Sequence, residues 1–237
     1  MKPLLVLAGG YGTRLRPLVS EVPKPLAPVS GKPFLYYLIK NWALQGVKDF
    51  RFLLHYEANQ IETLLNHLSF LPEFAEIQFR SVVEHKPLGT GGAILNAIES
   101  FGISEAFLIA NADTWLGSGI KRLSDETSPT IAAVKVPDIK RYGSIDFEDN
   151  RVIKFLEKSE ISGEGYINSG LCHLLPEIFD DFETGTYFSL EKEIFSKLTS
   201  SNQLRVIKLN ESFIDIGIPE DYLRFCRWID SGKSYDI

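Results

Sequence analysis

Leu4-Leu5-Val6-Leu7-Ala8 is an unbroken apolar run closed by Gly9-Gly10, the pattern of a strand covered on both faces by helices. Over 34–44 the apolar residues Phe34, Leu35, Leu38, Ile39 and Trp42 recur at helical spacing, starting after Pro33 and stopping short of Gly46. That predicts a helix with a glycine just past its C-terminus. The same reading gives a strand over 49–54, a helix over 59–68, a strand over 77–83, a helix over 91–98 and a buried strand over 106–110 that runs into Asn111-Ala112-Asp113. The alternation predicts an α/β fold of doubly wound type, a Rossmann-like, mostly parallel sheet flanked by helices.

The second half breaks the rhythm. Residues 130–136, 143–147, 152–155 and 165–174 read as strands with little helix between them, which predicts a small antiparallel subdomain. Helical periodicity returns over 189–198 and 219–229, with a short strand over 213–216. No repeat, low-complexity tract or Pro/Ser-rich linker interrupts the chain, so a single domain over 1–237 is expected, with a core at about 1–125 and 200–237 and a second part at about 126–200.

Composition narrows the function classes. Of 237 residues, 24% are charged and 44% hydrophobic, which excludes disordered, collagenous and coiled-coil chains. The net charge of −6 denies the chain the basic field that general nucleic-acid or anionic-membrane binding uses, so neither partner is expected and phosphate chemistry must rest on a local basic cluster. Cys172 and Cys226 have no CxxC or Cys/His ligand spacing and read as reduced thiols. The first apolar run is too short for a signal sequence and no stretch is long enough to span a bilayer, which predicts a cytoplasmic protein. Monomer and homodimer are left open.

The basic cluster is at the N-terminus. Gly9-Gly10-Tyr11-Gly12-Thr13-Arg14-Leu15-Arg16-Pro17 follows the first buried strand, at the carboxyl edge where open α/β sheets bind ligands. Between Tyr11 and Lys32, Arg14, Arg16, Lys24 and Lys32 face the single acid Glu21, and glycine backbone N–H groups can cradle phosphate oxygens. Neither familiar phosphate motif applies. A dinucleotide fingerprint fails because Leu15 or Tyr11 stands where a glycine is needed, and the Gly232-Lys233-Ser234 stretch has Arg227 where a P-loop begins. The plainer alternative for the segment is a Gly/Pro-rich surface connection.

The string G-G-x-G-T-R-L-R-P followed by Pro23-Lys24-Pro25 resembles the signature of the sugar-1-phosphate nucleotidyltransferases. Pro87-Leu88-Gly89-Thr90-Gly91-Gly92-Ala93, Asn111-Ala112-Asp113, Arg141-Tyr142-Gly143, Phe155-Leu156-Glu157-Lys158, Ile167-Asn168-Ser169-Gly170 and Phe213-Ile214-Asp215-Ile216-Gly217 follow in the family's order. The resemblance implies a GT-A-like fold and an enzyme that joins a nucleoside triphosphate to a sugar 1-phosphate, releasing pyrophosphate. It also implies that the core binds the nucleotide and the second part the sugar. Arg14 matches the arginine that grips the triphosphate, Lys24 the lysine at the reacting phosphate, and Lys158 the lysine that binds the sugar 1-phosphate. Asp113 and Asp215 match the acids that hold Mg²⁺, a hard cation that takes one or two carboxylates together with substrate phosphates; the alternative for each is a cap, of a turn or of the helix near Pro219.

The same resemblance draws the nucleotide site from Leu7, Ala8, Gly9, Gly10, Gly12, Thr13 and Arg14, from Glu84, and from Pro87, Gly89, Thr90 and Gly91. The sugar side falls to Gly143, Glu157, Lys158 and Asn168. Relatives that use pyrimidines read the base with a glutamine where Glu84 stands here; a carboxylate only accepts and suits the N1–H and N2–H₂ donors of guanine. A solvent-facing Glu84 is the alternative. The motif set looks most like the D-glycero-D-manno-heptose 1-phosphate guanylyltransferases, with GTP as donor. It departs from its relatives at Cys172, where an aromatic is common, and at Ala112, where glycine is. Competing readings are a mannose-1-phosphate guanylyltransferase, an amino-sugar-1-phosphate uridylyltransferase and a catalytically silent nucleotide-sugar-binding regulatory subunit. His55, His67, His85 and His173 lack metal-ligand spacing and read as structural or surface residues, with His85, beside Glu84, able to touch the base.

Overall fold

The computed structural model describes residues 1–142, 144–156 and 162–232. Two compact units form, one of Met1–Lys86, Ala110–Ser118 and Ser212–Ile237, the other of Pro87–Ile109 and Gly119–Glu211.

In the first unit Leu4–Leu7 pairs in parallel with Asp49–Leu54, which pairs in parallel with Gln78–Val83. Leu4, Leu5 and Val6 are each 0% exposed, as an unbroken apolar run requires of a strand covered on both faces. The helix Phe34–Leu44 starts after Pro33 and ends as expected. Gly46 adopts φ +98°, its N–H donates to Ala43 O, and the N–H of Val47 donates to Trp42 O. This is the Schellman arrangement that glycine permits.

The C-terminal helix Pro219–Asp230 is seated by aromatic packing. Phe225 is fully buried and meets Phe34 at 4.7 Å, Trp115 at 5.4 Å and Tyr37 at 6.0 Å between ring centroids; Trp228 adds a second contact to Trp115 at 5.1 Å. The buried amide of Asn41 donates to Leu116 O (2.8 Å). These contacts fix a two-stranded antiparallel ribbon, Thr114–Leu116 against Phe213–Asp215, whose position matters for the chemistry below.

The second unit holds the irregular half. Its strands lie in the order Phe107–Asn111, Gly165–Leu174, Thr130–Val136, Arg205–Leu209, Arg151–Leu156, Ser144–Glu148. Pairing is antiparallel except between Thr130–Val136 and Arg205–Leu209. The mostly parallel expectation therefore holds within the first unit, and the strand pattern as a whole is mixed. Arg205–Leu209 was not anticipated: its short R-V-I-K-L run carries no turn signal that distinguishes it from a loop. The helix expected over 189–198 is π-helical at Leu190–Phe195 before becoming α-helical at Ser196–Ser200. No helix among the described residues is long and apolar enough to cross a membrane.

At the start of the strand Asp49–Leu54, Asp49 accepts from Arg51 (2.8 Å) and Arg80 (2.7 Å). Partial burial pushes its carboxyl up, but the two guanidinium groups outweigh burial and leave it below the usual carboxylate range. A depressed folded value means stability present in full above the ordinary aspartate range and lost as pH falls through the folded value. Asp49→Asn is therefore expected to lower the melting temperature at pH 7, and the difference from wild type should fade on acidification below about pH 4. Equal melting curves at pH 7 would show that the pair contributes nothing.

Candidate active site

The glycine-rich loop is stitched to its neighbours at the base. Ala8 N donates to Leu53 O (3.0 Å) and Tyr56 N to Gly9 O (3.4 Å). Gly12 is glycine for two reasons: φ is +60°, and a Cβ there would lie 2.8 Å from Lys24 Cβ. Leu15, 1% exposed, anchors the turn that follows, while Arg14 points out, exposed, with no acid among the described residues paired to it.

Lys24 opens the short 3₁₀ turn Lys24–Leu26, between the buried Pro23 and Pro25. Its ammonium donates to Asp113 Oδ2 (2.6 Å) and Asp215 Oδ1 (3.4 Å). The ribbon explains why the two acids meet: Asp215 is in register with Thr114, and Ile216 N donates to Asp113 O (3.0 Å). Thr114 Oγ1 holds Asp113 Oδ1 at 3.0 Å and Gly217 N holds Asp215 Oδ1 at 2.7 Å. Neither acid is a helix cap. Thr114 begins a strand, and the N-cap of Pro219–Asp230 is Ile218.

The donor set fits a hard divalent cation. Two carboxylates already share one cation, the Lys24 ammonium, and no group of three or more His, Cys, Asp or Glu among the described residues could hold a metal by itself. A metal at Asp113 and Asp215 would thus complete its shell with water or phosphate oxygens, which is how Mg²⁺ is ordinarily bound. The Lys24 ammonium, shared by both acids, offsets part of their mutual repulsion without a metal.

Lys24 and Asp113 open onto a cleft of about 300 Å³ within the first unit, which Gly217, the residue whose N–H holds Asp215, also lines. The loop contributes Leu7, Ala8, Gly10, Gly12, Thr13 and Arg14 to its wall; Lys24, Ala112 and Asp113 stand opposite. Gly9 does not line it, because the loop backbone there is turned onto His55. Tyr11, which the sequence reading passed over, does line it. The Tyr11 hydroxyl lies 3.2 Å from His55 Nε2, and His55 Nδ1 lies 2.9 Å from the Glu84 carbonyl oxygen. Glu84 is buried at 8% exposure, so the solvent-facing alternative fails, although it is not part of the cleft wall. His85 beside it is exposed. The signal for His55 was its place immediately after the strand Asp49–Leu54, at the carboxyl edge of the sheet.

In the second unit the L-G-T-G-G-A stretch is used for packing. A Cβ at Gly89 would lie 2.5 Å from Phe188 O, and one at Gly91 would lie 2.3 Å from the Phe188 ring. Gly91 N donates to Phe188 O (3.0 Å). Thr90 Oγ1 donates to Glu191 Oε2 (3.0 Å) and accepts from Leu190 N (2.8 Å). Pro87 precedes this helix as an exposed residue. Asn168 Oδ1 accepts from Gly170 N (3.1 Å), shaping the irregularity in the strand Gly165–Leu174. Gly143, Glu157 and Lys158 lie outside the described residues.

A cation-compensated acid pair below a glycine-rich loop with an exposed arginine is equipment for handling phosphates, and the chain belongs to the nucleotidyl transferase family, whose model matches residues 4–232. Its fold is the α/β fold of those enzymes, related to the GT-A type. The chain is 33% identical over 225 residues to the D-glycero-alpha-D-manno-heptose 1-phosphate guanylyltransferase of Campylobacter jejuni, covering 93% of this chain and 97% of that one. It is 33% identical over 237 residues to mannose-1-phosphate guanylyltransferase 1 of Arabidopsis thaliana, covering 96% of this chain and 64% of the plant protein. Among solved structures it is similar to HddC from Yersinia pseudotuberculosis complexed with GMP-PN, with a TM-score of 0.83 and 36% identity, covering 97% of this chain and all of that one.

Removing the ammonium tests the arrangement. Lys24→Met leaves two carboxylates facing each other and should cost about 1–3 kcal/mol of stability in EDTA, less than a fully buried pair because Asp113 stays 37% exposed. Millimolar Mn²⁺ should restore part of that loss in the variant and raise the wild-type melting temperature less. Unchanged unfolding of the variant would show that the ammonium does not hold the acids.

Proposed function

We propose that the protein is a cytoplasmic sugar-1-phosphate guanylyltransferase that joins GTP to D-glycero-α-D-manno-heptose 1-phosphate and releases pyrophosphate. The observation that carries this reading is the Lys24–Asp113–Asp215 cluster at the cleft of the glycine-rich loop. The guanylyltransferase relatives and the GMP-PN-bound HddC support it.

In this reaction a phosphate oxygen of the sugar attacks the α-phosphorus in line, a P–O bond forms, and the bond to pyrophosphate breaks. No covalent enzyme intermediate is required. The protein's task is to hold two polyanions together and neutralise charge as it builds. Arg14, exposed on the loop, would grip the triphosphate with its planar fork. Lys24 would meet charge at the reacting phosphate. Asp113 and Asp215 would hold Mg²⁺, which when bound supplies Lewis-acid neutralisation of the phosphate oxygens. Glu84 would accept from guanine N1–H and N2–H₂. The sugar contacts of Gly143, Glu157, Lys158 and Asn168, and the nucleotide contacts of Pro87, Gly89, Thr90 and Gly91, are assigned by resemblance.

A mannose-1-phosphate guanylyltransferase is the second reading, favoured by the identity to the Arabidopsis thaliana enzyme. A uridylyltransferase fits the acceptor-only Glu84 poorly. A silent binding subunit gives no reason for Arg14, Lys24, Asp113 and Asp215 all to be kept.

A panel of nucleotides against sugar 1-phosphates, read by pyrophosphate release, decides among these. GTP should exceed UTP, CTP and ATP by about two powers of ten in kcat/KM, because only guanine offers the paired N1–H and N2–H₂ donors to the Glu84 carboxylate. The heptose phosphate should outrun mannose 1-phosphate. Asp113→Asn and Asp215→Asn should each lower turnover by orders of magnitude with the fold intact, and Glu84→Gln should erode the preference for GTP without abolishing turnover. A preference for UTP or dTTP would overturn the base assignment, and full activity of either aspartate variant would overturn the metal assignment.

A further inference from the structure

The loop that lines the cleft is rich in glycine, so an unrestrained loop would lose much backbone freedom on closing around a ligand. The structure restrains it through one side chain. A carbonyl oxygen only accepts, so the 2.9 Å contact between His55 Nδ1 and Glu84 O requires the proton on Nδ1. In the neutral ring Nε2 is then an acceptor, and it faces the Tyr11 hydroxyl at 3.2 Å, which donates to it. The two rings meet edge-on at 5.7 Å. Tyr11 also leans on Tyr56 at 5.2 Å, and the Arg16 guanidinium covers Tyr56 at 5.3 Å. The Gly9 backbone comes down on His55, and a Cβ at Gly9 would lie 3.1 Å from His55 Cβ.

We propose that His55 is a positioning residue for the nucleotide: it locks Tyr11 at the tip of the glycine-rich loop to the backbone of Glu84, so that the phosphate-gripping loop and the base-reading position are held as one preformed unit. This rests on the nucleotidyl-transfer reading, and its base-selectivity part rests on the assignment of Glu84. His55 touches no reacting atom. Its effect is to prepay the ordering of the loop, which strengthens ground-state and transition-state binding alike. Disrupting it should therefore raise the nucleotide KM and leave kcat nearly unchanged.

Three variants separate this from a general structural role. Tyr11→Phe deletes the hydroxyl and keeps the ring contacts. His55→Asn keeps an amide N–H for Glu84 O and loses the reach to Tyr11. Each should raise the KM for GTP roughly five- to tenfold, the worth of about one hydrogen bond, with kcat within about twofold. The double variant should be no worse than either single one, because both delete the same bond. His55→Ala, which also removes the contact to the Glu84 carbonyl, should raise KM further and narrow the preference for GTP over the next-best nucleotide, whereas Tyr11→Phe should leave that preference intact. An unchanged KM in Tyr11→Phe and His55→Asn, additive effects in the double variant, or a loss confined to kcat would overturn the proposal. If wild type prefers a nucleotide other than GTP, the base assignment of Glu84 fails by itself, and the KM pattern measured with the preferred nucleotide still decides the role of His55. If His55→Ala does not fold, the two conservative variants carry the test.

Discussion

The Lys24 ammonium holds together two carboxylates that come from distant parts of the chain. Two acids that both reach the same ammonium repel each other unless a cation lies between them, and the repulsion grows as water is excluded. At 9% exposure the Lys24 side chain is nearly dry, so its charge too would be costly without the acids. The three groups are thus conditional on one another. Asp113 and Asp215 meet because the ribbon Thr114–Leu116 with Phe213–Asp215 pairs in register, and that ribbon is seated by Phe225, Trp115 and Trp228. An electrostatic site is in this way set by an aromatic cluster on its far side.

Glycine does two different jobs in the chain, and only geometry separates them. Gly12 allows a left-handed turn and the close approach of Lys24, keeping the loop low over the acids. Gly89 and Gly91 make room for Phe188, while Thr90 ties down the π-helical segment that begins at Leu190. In a linear sequence both sets look like phosphate-cradling glycine runs. The second set shows that packing also makes demands on such a run, since any side chain there would strike a backbone carbonyl or a ring.

The physical logic of the cleft is preorganisation. A nucleotide with a triphosphate presents several negative charges, and a site that must both gather cations and order a flexible loop would lose binding energy to entropy. Here the cations sit on restrained backbone: Lys24 lies between two buried prolines, and Arg14 follows a loop stitched at Ala8 and Gly9 and pinned at Tyr11. Arg14 itself stays exposed and unpaired to any acid among the described residues, so its guanidinium has little to give up before meeting an anion.

The sequence by itself determined the elements whose periodicity is strong. The strand at Leu4–Leu7, the helix Phe34–Leu44 with its Gly46 terminus, and the strands Asp49–Leu54, Thr130–Val136 and Gly165–Leu174 are all legible, because local burial and capping dictate them. The glycine-rich string, the Pro-Lys-Pro segment and the later motifs likewise marked Arg14, Lys24, Asp113 and Asp215 through the family resemblance. What the tertiary structure decided is which partner each group has. That Lys24 is the counter-ion of both acids, that Thr90 bonds to Glu191, and that His55 bonds to the Glu84 carbonyl all depend on contacts between residues far apart in the chain. A sequence records the spacing of neighbours, whereas charge pairing and hydrogen bonding act over a few ångströms in space, and only the folded chain brings those distances into being.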